Sequence, residues 1–165
     1  MKHFLAAFFL LSSTLLPMTA AHAETDPLGN DPMLKEVNSL LIENRVIIGK
    51  IANKLGVLYS TSQQTGGTLP EINNAIFIRN QFLIKQIAAK LGVASDTPLP
   101  VSGSLSEQNQ QIMLGNRAVL LSVMDTLGIA RNTVLPFDGN IVQQNRDTLL
   151  AGKDSLEKIA KKLGI

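Results

Sequence analysis

The sequence predicts an all-α fold, a four-helix bundle built from four single-helix repeats of ~36 residues and expected to run up and down. Three observations predict it. Leu55-Gly56-Val57, Leu91-Gly92-Val93, Leu127-Gly128-Ile129 and Leu163-Gly164-Ile165 recur at a constant spacing of 36 residues, and a fixed period marks a repeated unit. Ahead of each Leu-Gly, apolar side chains step alternately by three and four, the period that lines one face of a helix. The apolar content comes from Leu, Ile, Val and Ala with no Trp and one Tyr, a composition suited to packed helices.

Residues 1–23 read as an export signal rather than as part of the fold. Lys2 supplies the positive start, Phe4 to Leu16 the apolar stretch, and Ala21-His22-Ala23 the small residues that a signal peptidase needs. The apolar stretch is short of the ~20 residues that a membrane helix requires, and Pro17 follows it. Cleavage after Ala23 leaves a short N-terminal extension, residues 24–31, and the repeat domain, residues 32–165. No later segment is apolar enough to cross a membrane, so the mature chain is expected to be soluble and periplasmic or secreted.

The first helix, expected over 32–55, opens on Asp31-Pro32, an N-cap followed by the proline that suits a first helical position. Its stripe is Leu34, Val37, Leu41, Asn44, Ile48, Ile51 and Leu55. The second, over 69–91, begins with the capping-box pair Thr68 and Glu71 and carries Phe77, Asn80, Ile84, Ile87 and Leu91. The third, over 105–127, begins with Ser104 and Glu107 and carries Met113, Asn116, Leu120, Val123 and Leu127. The fourth, over 139–163 with Asp138 as its expected cap, keeps Leu156, Ile159 and Ala160 but has Gly152 where the other three have asparagine. Each ends on glycine followed by Val or Ile, the pattern of a Schellman cap. The connectors Leu58 to Thr68, Ala94 to Ser104 and Ala130 to Phe137 contain Gly66-Gly67, Pro98 with Pro100, and Pro136, and read as loops.

Composition excludes much chemistry. There is no Cys, and both histidines, His3 and His22, lie in the segment expected to be removed. Ser-His and Cys-His catalysis, zinc sites built on imidazole or thiolate, histidine-ligated haem and the Glu-x-x-His sites of helical bundles each lose a necessary residue. Glu36 with Glu43 has the i, i+7 spacing of an exposed helix face, and Tyr59 lacks an evident activating base. No catalytic, cofactor or metal residue is therefore expected. With Lys2 removed, 14 basic residues face 13 acidic ones, which gives no nucleic-acid footprint.

Asn44, Asn80 and Asn116 fall inside the apolar stripe at mid-helix, and Asn73, Asn109 and Asn145 lie one heptad earlier. A buried amide without partners costs about 1 to 3 kcal/mol, so one alone would be disfavoured; three at one height can bond to each other and fix register. That structural reading of Asn44, Asn80 and Asn116 is preferred over a pocket lined by amides, which would need the same convergence. In an up-and-down bundle Asn109 would sit at the opposite end from Asn73 and Asn145, and these three are expected to be partly wet. The stripe is also wide, through Val46-Ile47-Ile48, Phe82-Leu83-Ile84 and Ala118-Val119-Leu120-Leu121, so a tight core covers it or some remains for a partner.

These features imply an exported, non-catalytic interaction or scaffold protein of the cell envelope, such as an accessory of a secretion or surface apparatus, with a protein partner or self-association. The alternative is a periplasmic carrier or chaperone that holds an apolar ligand or client between its helices.

Overall fold

The computed structural model describes residues 31–60, 66–131 and 139–165. The expected export signal, most of the N-terminal extension and Asp138 lie outside the described residues. Four helices follow one another, α1 Pro32–Lys54, α2 Leu69–Lys90, α3 Leu105–Thr126 and α4 Ile141–Lys162, with no strand among the described residues. α1 packs on α2 and α4, and α3 packs on the same two, so the helices form a closed four-sided bundle.

The ends form for local reasons. Asp31 accepts from the Met33 backbone N–H at 2.8 Å, and Pro32 stands in the first turn. Glu71 and Glu107 accept from the Thr68 and Ser104 backbone N–H groups at 2.7 and 2.8 Å, closing the two expected capping boxes. α4 starts later than its sequence suggests. Its cap is Asn140, whose backbone N–H donates to Gln143 Oε1 at 3.0 Å while Asn140 Oδ1 accepts from Val142 and Gln143 N–H. An amide pair performs here what hydroxyl and carboxylate do in α2 and α3.

At the other end Gly56, with φ +68°, is left-handed; its N–H donates to Asn53 O at 3.1 Å and the Val57 N–H to Ala52 O at 2.8 Å. That is a Schellman closure, and the same two bonds recur after Leu91, Leu127 and Leu163.

The helices do not run up and down. Hydrogen bonds between neighbours join residues at a constant offset: Asn38 to Asn73 (2.8 Å), Arg45 to Asn80 (3.5 Å) and Asn74 to Asn109 (2.8 Å), each 35 apart, and Gln110 to Gln144 (2.7 Å), 34 apart. Arg146 to Glu36 (2.7 Å) and Lys153 to Glu43 (2.6 Å), both 110 apart, join α4 to α1. Antiparallel neighbours would hold the sum of the two numbers constant, whereas a constant difference means that all four helices point the same way. The core agrees. One buried cluster draws on the first halves of all four helices through Val37, Leu41, Phe77, Ile112, Met113 and Leu149, and a larger one on their second halves. Ile48, Ile84, Leu120 and Leu156 share one level and are 1, 3, 4 and 2 % exposed.

The connectors explain the correction. An antiparallel turn between bundle helices needs only about 2 to 8 residues. A 22-residue helix is about 33 Å long, and the stretch Leu58 to Thr68 reaches about 36 Å when extended, enough to return to the starting end. The chain does return along the outside: Ser60 O accepts from Arg45 Nη2 at 3.1 Å, and Thr97 O accepts from Gln81 Nε2 at 3.2 Å and from Lys85 Nζ. A Cβ on Gly115 would press on Thr97 Cβ at 3.3 Å, so the second connector lies against both α2 and α3. With every C-terminus at one end, Lys54, Lys90, Lys161 and Lys162 in the last turns offset the gathered negative poles of the helix dipoles.

Candidate functional site

Two places bring polar chemistry together: the layer inside the bundle and a groove outside α1 and α2. The parallel course brings Asn44, Asn80, Asn116 and Gly152 to one height, where with Thr148 they line a cavity of about 40 Å³ between the two core clusters. All three asparagines are buried, yet they do not bond to each other as expected. Asn44 Nδ2 donates to Leu149 O at 3.2 Å, and Asn80 Oδ1 accepts from Arg45 Nη1. The Oδ1 atoms of Asn44 and Asn116 are buried without a hydrogen-bond partner. Gly152 leaves the fourth place in the layer without a side chain, and Asn44 bonds to α4 instead.

The earlier set behaves differently from expectation. Asn73, Asn109 and Asn145 are all at the same end and are buried, at 1, 6 and 5 % exposure, rather than partly wet. Asn73 accepts from Asn38 and donates to Leu34 O at 3.4 Å, Asn109 accepts from Asn74, and Asn145 donates to Ser106 O at 3.4 Å. Amides on the preceding helix thus tie two of these three inward asparagines, a structural role that accounts for their burial.

The groove was not singled out by sequence. It encloses about 420 Å³ over the outer face of α2, flanked by Tyr59 and Ser60 of the first connector and Leu99 of the second. Phe82 is 64 % exposed there and Ile78 and Leu99 are partly exposed, while Arg45, Arg79 and Lys85 supply positive charge and no carboxylate lines the wall among the described residues. Burial lowers the Arg45 pKa, the Arg79 charge acts in the same direction, and Tyr59 opposes them. Arg45 and Arg79 thus place two guanidiniums beside each other over an apolar floor. The signal for this site was present in the wide stripe: Val46 and Phe82, counted within it, face outward, at 55 and 64 % exposure. Nothing in spacing alone separates those outward positions from core.

Among the described residues no group of three or more His, Cys, Asp or Glu is placed to hold a metal ion, and no helix is long and apolar enough to cross a membrane. Fold and groove together define the class of the molecule as an all-helical bundle with an outward cationic and apolar cleft. Comparison with protein-family models, curated proteins and solved structures gives no match.

Proposed function

We propose that this chain is an exported, non-catalytic interaction protein of the cell envelope that docks a partner protein through the outer groove of α1 and α2. The carrying observation is the exposed Phe82 in a cleft rimmed by Arg45, Arg79 and Lys85, with no carboxylate in its walls among the described residues. Exposed aromatic side chains beside arginine have the character of binding hot spots. The partner that fits is a segment that places apolar side chains over Phe82, Ile78 and Leu99 and carboxylates beside the three cations. Export rests on Lys2, the apolar stretch and Ala21-His22-Ala23. The fourfold likeness of the helices supports descent from one ~36-residue helix-and-connector unit, with the departures at Gly152 and in the groove acquired by single copies.

The test is affinity purification of the mature chain from native envelope extract beside Phe82→Asp. The exposed substitution should leave helical circular dichroism and Tm unchanged while a stoichiometric acidic and apolar partner is lost. Failure of the wild type to retain any partner, or equal retention by the variant, overturns the proposal. A carrier of apolar ligand between the helices is less well supported, because the cavity of about 40 Å³ is far below the roughly 300 Å³ at which ligand pockets begin.

A further inference from the structure

Asn44 and Asn116 are 5 and 8 % exposed, and each holds a buried carbonyl oxygen that accepts no hydrogen bond. Buried acceptors are rarely left so, and those without a protein partner are commonly met by internal water. Both residues line one cavity of about 40 Å³, and the volume needed for a single water is about 10 to 15 Å³. The space belongs to the fourth unit. A Cβ built on Gly152 would find Asn44 Nδ2 at 4.0 Å and nothing nearer, so the fourth place in the layer has space at the Cβ position.

We infer that the layer formed by Asn44, Asn80, Asn116 and Gly152 is an internal hydration site, in which a buried water takes the place of the fourth amide and donates to Asn44 Oδ1 and Asn116 Oδ1. The ligand must donate hydrogen bonds, which excludes an anion at these two oxygens. A small cation would meet the same oxygens, and titration with potassium or ammonium separates it from water. The layer meets the outer groove at one bond, Arg45 Nη1 donating to Asn80 Oδ1, while the two unmet acceptors belong to Asn44 and Asn116, which do not line the groove.

The experiment uses the full mature chain. Rotating-frame cross-peaks between water and the side-chain amide protons of Asn44 and Asn116 should report a bound water, and a high-resolution crystal map should show density in the cavity. Gly152→Asn should abolish those cross-peaks by supplying the fourth amide. Xenon under pressure should not enter a polar, hydrated cavity. An empty map, xenon occupancy, or saturable shifts of these amide signals on titration with potassium or ammonium would each overturn the inference. The wild-type measurements decide it even if Gly152→Asn does not fold.

Discussion

Gly92 has φ +73°, and a Cβ there would touch nothing within 4 Å, so the backbone is the whole reason for glycine. Gly92→Ala should destabilise by about 1 to 2 kcal/mol through the left-handed conformation alone, read as a lower urea midpoint with an unchanged m-value. Carboxylates at the helix starts contribute to stability in a pH-dependent way. The Thr68 and Ser104 backbone N–H groups, then their hydroxyls, hold Glu71 and Glu107 below the usual carboxylate range, and hydrogen bonding to Arg131 does the same for Asp125. Carboxyls lowered in the folded state contribute fully above their unfolded value, about 4.3 for glutamate, and lose that contribution as pH falls through the lower folded value. Tm should therefore be flat from neutrality to weak acid and decline below it, and Glu71→Gln with Glu107→Gln should flatten part of the decline. Glutamine already serves at Gln143, so the caps themselves survive. A decline unaltered by the double substitution would assign acid sensitivity elsewhere. At this scale the inward asparagines were legible because they occupy stripe positions. Gln81, 2 % exposed, was not: it is buried because it reaches Thr97 on a returning connector, a contact that helical spacing does not encode.

At the scale of the element, helix existence and stop signals were legible in full because Leu-Gly followed by Val or Ile specifies two backbone bonds locally. Starts were less certain. Asp138, Gly139 and Asn140 offer two candidate caps within three residues, and Asn140 is the one paired with Gln143 three positions on. Helix direction was misread because stripes look alike in either sense; connector length held the information, being long enough to travel back rather than turn. Each helix draws its stability from buried side chains rather than from its own propensity. Ile51 is wholly buried at the broad core level, so Ile51→Ala should lose about 2 to 5 kcal/mol in chemical denaturation. A loss below 1 kcal/mol would mean that this layer is loosely packed.

For the whole molecule, neighbours in space lie one unit apart in sequence, and α1 meets α4 only after the entire chain has folded round. The pairs Arg146 with Glu36 and Lys153 with Glu43 mark that closure. They are solvent-screened surface pairs, so each contributes little, and the apolar levels beneath them do most of the closing. Because the junction of last helix with first resembles the other three junctions, where the polypeptide starts becomes arbitrary. A circular permutant that opens the chain between α1 and α2, and joins Ile165 to Asp31 through a copy of a natural return connector, should recover the native circular dichroism and a comparable Tm. A tight two-residue link could not bridge opposite ends of the molecule and should abolish folding, which sets the geometry described here apart from a bundle of hairpins.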